Sequence, residues 1–244
     1  MPSRTRTEDF RALHQRPDPA DPLVIPNIWD AESARVFADA GHRVLATSSA
    51  AVAAVLGHSD GGTAPADEVF AALGRIVRAV GVPVTADIED GYGLPPAEIV
   101  ERLLAAGAVG CNLEDTDHAS GKLKDAHAHA DWLAEVTAAA RGRLVLNARV
   151  DSFLYGADDA EEAIVRGRLY TEAGADVVYP ILAPAGLLPE LSGAVPAPLN
   201  ALYLPGGPSP AELGRLGAAR VTFGGGLHDR VKASLTELAR SLPA

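Results

Sequence analysis

From residue 23 onward, short β-rich runs alternate with longer stretches whose apolar residues recur at helical spacing, and nothing else in the chain constrains its fold as strongly. Such alternation produces parallel strands joined by crossover helices. Eight strand-like runs can be counted: LVIPNIWD (23–30), RVLATSSA (43–50), PVTADIED (83–90), GCNLEDT (110–116), LVLNARVD (144–151), DVVYPIL (176–182), LNALYL (199–204) and RVTFGGG (220–226). A helix-like segment follows each. Eight such units predict a single (β/α)8 TIM-type barrel, a fold that commonly takes roughly 250 residues as one domain. The chain has 244 residues. A short N-terminal helix, TEDFRALHQ, and a Pro-rich linker are expected within 1–22, the barrel over 23–226 and a C-terminal helix over 227–244. Helix ends agree with this division. AESARVFADAG, AEIVERLLAAG and RLYTEAG each stop at a Gly suited to a left-handed C-cap, and Asp30 and Asp158 suit N-caps.

Charge excludes some partners. The formal net charge is −11 and no Lys/Arg cluster interrupts it, so the attraction that drives binding to a phosphate backbone is missing and nucleic acid is excluded as a partner. The single cysteine, Cys111, has no partner for an internal disulfide, and the opening MPSRTRTEDF has no apolar signal-peptide core, which together predict a cytoplasmic protein. No apolar run approaches the roughly 20 residues of a membrane span.

In a barrel, strand ends and the loops after them build the functional rim. Polar residues at those ends are Asn27 and Asp30, then Thr47, Ser48 and Ser49, then Asp87, Glu89 and Asp90. Glu114 and Asp115, then Asn147, Arg149 and Asp151, and finally Asn200 complete the set. Strand alternation puts Asp87 and Glu89 on one face, and Glu114 arrives from the neighbouring strand. Any one of these acids has an ordinary reading as a solvated cap or loop residue. Three converging acids repel one another unless a cation is present, and oxygen ligands at this density suit Mg2+ or Mn2+ rather than zinc. Arg149 offers either a bidentate fork for a substrate carboxylate or a structural salt bridge to the acids. Ser48 and Ser49 either present hydroxyls and N–H groups to an anion or simply relieve crowding. The three lysines, Lys122, Lys124 and Lys232, all lie off the expected strands, which disfavours Schiff-base chemistry.

TADIEDGYG (85–93) resembles the metal-binding Asp-x-Asp-x-Gly-Tyr-Gly of the isocitrate lyase and phosphoenolpyruvate mutase superfamily, with Glu89 in place of the second Asp. GCNLED (110–115) is similar to its Gly-x-x-(Ile/Leu)-Glu-Asp, LNARVD (146–151) to its Ala-Arg-Thr-Asp and LGHSDG (56–61) to its Leu-Gly-x-x-Asp. Residues 27–49 resemble its opening strand, helix and substrate-binding strand, and Asn200 its Asn after strand 7. The resemblance implies Mg2+ contacted directly by Asp87, with Asp60, Glu89 and Glu114 holding its water shell. It also implies that Thr47, Ser48, Ser49 and Arg149 bind the carboxylate and oxo groups of a small substrate, and that members are homo-oligomers, dimers or tetramers. Metal and Arg there stabilise an enolate-like species, so that a neighbouring C–C or P–C bond breaks.

Departures from the family pattern define the expectations further. True isocitrate and methylisocitrate lyases carry a Lys-x-Cys-Gly-His loop after strand 4 whose Cys supplies a proton. Here the segment reads DTDHASGKLKDAHAHAD (115–131), and Cys111 is expected to be a packing residue. Tyr92 and His118 are the nearest candidates for a replacement acid. Ile181 stands where the lyases place an acid after strand 6, making that side more apolar. The expected activity is a Mg2+-dependent carbon–carbon lyase acting on a small 2-oxo or 2-hydroxy carboxylate. The alternatives are a P–C bond enzyme of mutase or hydrolase type, or an oxaloacetate decarboxylase or hydrolase. A phosphate-binding barrel using LPGGPS (204–209) and FGGGL (223–227), and a non-catalytic metabolite binder, are competing readings.

Overall fold

The structure is a computed structural model that describes residues 6–15 and 18–243. Helix α1 (Arg6–Ala12) leads into the first strand run, which is split by Pro26 into β1 (Leu23–Val24) and β2 (Asn27–Ile28). Helix α2 (Ala31–Asp39), β3 (Leu45–Thr47), α3 (Ser49–Leu56), α4 (Ala66–Ala79), β4 (Val84–Asp87), α5 (Pro96–Ala106) and β5 (Gly110–Glu114) follow. After a short hairpin of β6 (Thr116–Asp117) and β7 (Lys122–Leu123) come α6 (Ala126–Ala140), β8 (Val145–Val150) and α7 (Glu161–Glu172). The chain ends with β9 (Val177–Pro180), α8 (Leu188–Ala194), β10 (Leu199–Leu202), α9 (Pro210–Arg215), β11 (Ala218–Thr222) and α10 (Gly226–Ser241).

All eight expected strand runs are present, and their pairing is parallel throughout the large sheet, in the order β1-β11-β10-β9-β8-β5-β4-β3-β2. The two ends of that order are the two halves of one run. Pro26 has no N–H to donate, so the run changes partner there: Ile25 N–H donates to Val221 O at 2.9 Å, while Pro26 O accepts from Ala46 N–H at 3.0 Å. The first run thus bridges β11 and β3 and closes the sheet into the (β/α)8 barrel. Consecutive crossover helices meet around it, α2 with α4, α4 with α5, α5 with α6, and α6 with α7. The sequence analysis did not anticipate the β6–β7 hairpin.

Strand alternation sorts the core into two parts. Leu45, Ile88, Leu113, Val150 and Val178 face the helix layer, and Cys111 lies with them as a buried packing residue. Inside the barrel's N-terminal end a smaller cluster of Ile25, Val44, Val145 and Val177 is covered by Phe10 of α1. Arg11 anchors α1 there, pairing with Asp176 at 2.7 Å and donating to Leu144 O at 2.8 Å. Asp30 caps α2 with a full capping box, and Gly41, Gly107 and Gly174 adopt positive φ after their helices, as expected. Asp158 is not a cap: α7 starts at Glu161, whose N–H is taken by Asp159 instead. The apolar side chains Val231, Leu235 and Leu238 of α10 are exposed.

Candidate active site

At the C-terminal end of the strands lies a cavity of about 240 Å3 whose lining includes Ser48, Ser49, Asp87, Asn112, Arg149 and Tyr179. Two-residue periodicity explains why they meet. Asp87 follows the inward Thr85, Arg149 follows Asn147 and Tyr179 follows Val177, while the residues between them pack outward. Asp60 reaches the same cavity from the loop after α3, and Ile181, Leu154 and the Gly224–Gly225 segment also line it.

Asp87 is the most exacting group in this cavity. Its Oδ2 accepts from Ser49 N–H (3.4 Å) and Ser49 Oγ (3.2 Å), and its backbone N–H donates to Thr47 Oγ1 at 2.8 Å. Its Oδ1 is buried and has no hydrogen-bond partner among the described residues. Burial raises its carboxyl above the usual carboxylate range, with Arg149 opposing and Asp60 adding to the rise. The chain then turns sharply through Glu89 (φ 52°), Gly91 (φ 92°), Tyr92 (φ 55°) and Gly93 (φ 68°). Left-handed backbone at Glu89 and Tyr92 is strained, of order 1–3 kcal/mol each. Gly91 is favoured there by its φ of 92°, and an added Cβ would also press on Ile99 Cδ1 at 2.6 Å. This turn swings Glu89 beneath the rim, where it accepts from Gly62 N–H and from Tyr92 Oη at 3.3 Å. Burial and the charge of Asp60 push the Glu89 carboxyl up to about 7.

Arg149 is held on two sides. Its Nε and Nη2 donate to the two oxygens of Asp151 at 2.6 and 3.0 Å, and its Nη1 lies 2.5 Å from Glu114 Oε2. Burial opposes its charge, but Glu114, Asp151 and Asp87 outweigh that and hold the guanidinium above its ordinary value. Asp151 is itself fixed from behind, since its N–H donates to Asp115 Oδ1 at 2.8 Å. Asp115 in turn accepts from Tyr170 Oη (2.7 Å) and Arg166 Nη1 (3.1 Å) of α7. The fork is therefore pre-oriented by a buried network that reaches the helix layer.

The expected site residues do not all reach the cavity. Asp60, Asp87, Ser48, Ser49 and Arg149 line it. Glu89 and Glu114 sit buried beside it, and burial pushes Glu114 up to about 6. His118, at the start of the β6–β7 turn, places Nε2 2.7 Å from Glu114 Oε1 and 3.5 Å from Glu89 Oε2. Glu114 raises the imidazole above its ordinary value. Tyr92 directs its hydroxyl at Glu89. Thr47 supports the Asp87 backbone, and Asn200 lies inside the barrel, donating to Thr222 Oγ1 at 2.8 Å.

Among the described residues, no three His, Cys, Asp or Glu side chains converge closely enough to enclose an ion directly. The buried, unpartnered Asp87 Oδ1 nevertheless fits a single direct carboxylate ligand. With Asp60, Glu89 and Glu114 near enough to act on one another's charge, the arrangement suits a hard cation that keeps most of its water.

Comparison with known proteins places this geometry. Residues 10–242 match the phosphoenolpyruvate phosphomutase family. The chain belongs to that family. Within it, the chain is 34% identical over 217 residues to an uncharacterized protein of Mycobacterium tuberculosis, covering 88% of this chain and 81% of that one. It is 30% identical over 238 residues to an oxaloacetate decarboxylase of Bradyrhizobium, covering 89% and 78%. A candidate phosphonomutase structure from Burkholderia cenocepacia superposes with a TM-score of 0.90 at 37% identity, over 97% of this chain and 99% of the other. Family members thus carry names for both C–C and P–C chemistry, so membership alone does not choose the bond.

Sequence reasoning overlooked several residues that matter here. Tyr179 lies two positions before Ile181 and so shares its inward face. Asn112 stands in the same relation to Glu114, and Arg220 to Thr222. Counting back by two from Ile181 and Glu114 would have found Tyr179 and Asn112, whereas Thr222 was not singled out and so left Arg220 without a signal.

Proposed function

We propose that the protein is a Mg2+-dependent carbon–carbon lyase acting on a small 2-oxo or 2-hydroxy carboxylate through an enolate-like intermediate. One observation carries this reading: the unpartnered Asp87 Oδ1 and the pre-oriented Arg149 fork line one small cavity together with the apolar Ile181 and Leu154. Asp87 would hold the cation directly, and Asp60, Glu89 and Glu114 its water shell. The bound metal would supply Lewis-acid stabilisation of the developing enolate. Arg149 pairs with the substrate carboxylate through the donors that Asp151 and Glu114 leave free. Ser48, at the N-cap of α3, offers its hydroxyl proton to the oxo or hydroxy group, while Ser49 spends its N–H and hydroxyl on holding Asp87. Ile181 and Leu154 favour an alkyl substituent over another charge, which suits alkyl-substituted malates or oxaloacetate better than a tricarboxylate.

A second reading has its own support. Gly224 and Gly225 line the cavity where α10 begins, and backbone N–H groups at a helix N-terminus suit a phosphono group. A P–C bond enzyme would use the same metal and Arg149. The deciding assay measures pyruvate, oxalate and phosphate release from 2-hydroxy, 2-oxo and phosphono acids, with Mg2+ or with EDTA. Turnover of a phosphono acid alone selects the second reading, and full activity in EDTA refutes both. We further propose a homo-oligomer, because the Val231, Leu235 and Leu238 stripe of α10 is left uncovered. Light scattering that finds only monomers would refute this.

A further inference from the structure

C–C cleavage of the proposed kind leaves an electron pair on the departing carbon, and that carbon must receive a proton. The loop that supplies it from a cysteine in the lyases this chain resembles is here the β6–β7 hairpin, which has none. Three protonated side chains lie close enough to consider. Tyr92 donates to Glu89, and His118 faces Glu114 and Glu89, so both are turned toward the acids. Tyr179 differs, because its side chain lines the cavity itself, and its Cα is the register partner of Arg149.

The surroundings of Tyr179 suit a proton donor. Thr222 lines the same cavity, and its Oγ1 is fixed by Asn200 Nδ2 at 2.8 Å. Behind this group lies Arg220, wholly buried, with Nε and Nη1 unpartnered and only a long 3.5 Å contact from Nη2 to Asn112 Oδ1. Among the described residues it has no carboxylate ion-pair partner, which makes it a costly buried charge. Burial pulls its guanidinium down to about 10, and the foremost influence opposing that fall is Tyr179. Conversely, burial pushes the Tyr179 phenol up to about 12 and the Asp87 carboxylate adds to the rise, while Thr222, Arg149 and Arg220 pull it back. The phenol therefore keeps its proton in the resting site, and its anion, once formed, has two cations beside it.

We propose that Tyr179 delivers the proton to the carbon released by bond cleavage, and that the buried Arg220 guanidinium stabilises the resulting phenolate. The proposal rests on the lyase reading above. For a 2-hydroxy acid the C–C bond breaks toward the departing carbon, which takes the Tyr179 proton and becomes C–H. The substrate hydroxyl loses its proton and becomes C=O, and a proton from that hydroxyl, relayed by water, restores the phenol. The step needs no oxidant or further reactant.

The test compares wild type with Tyr179→Phe and Thr222→Val on an alkyl-substituted malate in D2O, reading kcat, KM, Mg2+ affinity and the stereochemistry of deuterium at the product carbon. General acid catalysis is worth about 10^2 to 10^4 in rate. Tyr179→Phe is expected to lose kcat by about that factor, with KM and Mg2+ affinity unchanged, and to give residual product without facial preference. Thr222→Val is expected to move the alkaline limb of the kcat profile to higher pH, and Tyr179→Phe to abolish that limb. Wild-type kcat with stereospecific labelling in Tyr179→Phe overturns the proposal and leaves the lyase reading standing. A rise in KM with kcat retained also overturns it, by making Tyr179 a binding residue. If His118→Gln loses stereospecificity while Tyr179→Phe keeps it, the donor is His118. No turnover by wild type on any 2-oxo or 2-hydroxy acid overturns the lyase reading and this proposal together.

Discussion

Asp87→Asn should make the metal-free protein more stable and unresponsive to Mg2+ at the same time. The wild-type carboxylate is part-buried, has one oxygen without a hydrogen-bond partner and carries a pKa raised by burial. An unsatisfied buried polar atom costs about 1–3 kcal/mol, more when charged. Asparagine keeps the shape and can still accept from Ser49 through its carbonyl oxygen, while removing the charge that burial and Asp60 penalise. A gain of about 1–3 kcal/mol is expected, which for a chain of this size raises Tm by roughly 2–12 °C. Wild type starts lower but gains on binding: at a Mg2+ concentration about 1,000 times Kd, linkage adds about 4.1 kcal/mol, or roughly 8–16 °C. Thermal unfolding of both proteins in EDTA and in Mg2+ should therefore show the curves changing order. A variant that is less stable than wild type in EDTA, or that gains as much from Mg2+, would refute the view that Asp87 is a destabilised metal ligand.

Arg149→Lys keeps the charge but loses the planar fork held by Asp151, so kcat should fall by about 10^2 to 10^3 under steady-state assay, with Mg2+ affinity retained. Tyr170→Phe removes the 2.7 Å hydrogen bond to Asp115 and should cost about 1.5–3 kcal/mol in chemical denaturation. In metal-free protein, Glu89 (from 4.5 to about 7) and Glu114 (from 4.5 to about 6) both titrate higher folded than unfolded. The native state thus binds more protons across that window, and the contribution of these acids to stability falls as pH rises from about 4.5 to 7. Denaturation midpoints measured in EDTA across that range should show the fall, and saturating Mg2+ should reduce it.

How much of this was legible in the sequence depended on whether a residue belongs to a period or to a turn. The eight runs were visible because alternation and helical spacing repeat over the whole chain. The convergence of Asp87, Ser48, Ser49 and Arg149 followed from their shared place at strand ends. What escaped were features set by a single local event. The partner change at Pro26 makes two strands of one run, and the β6–β7 hairpin consists of two strands of two residues each with no strong pattern. The left-handed turn at Glu89 breaks the alternation that would have put it beside Asp87 on one face, and it leaves Glu89 buried under the rim instead. Asn200 was placed at the rim as the counterpart of the family's Asn after strand 7, whereas it lies within β10 and is buried in the barrel interior, against Thr222.

Unsatisfied polar atoms show where the fold tolerates cost. Most of those buried without a partner lie in or beside the barrel interior or its mouth: Thr85 Oγ1, Asp87 Oδ1, Asn147 Oδ1, Asn200 Oδ1 and two nitrogens of Arg220. The layer between sheet and helices is instead dominated by aliphatic side chains such as Leu45, Ile88, Leu103 and Leu133, all fully buried. Each buried aliphatic side chain there contributes about 1.5–3 kcal/mol by leaving water. That layer and the Phe10-capped cluster below hold the barrel closed without help from its polar interior. A barrel stabilised from outside can keep an unpaired arginine, a strained acidic turn and a carboxylate lacking a partner at its centre. Substitutions in the helix layer should accordingly lower stability with little change in kcat per folded molecule, while those in the interior should change catalysis at little cost, or even some gain, in stability.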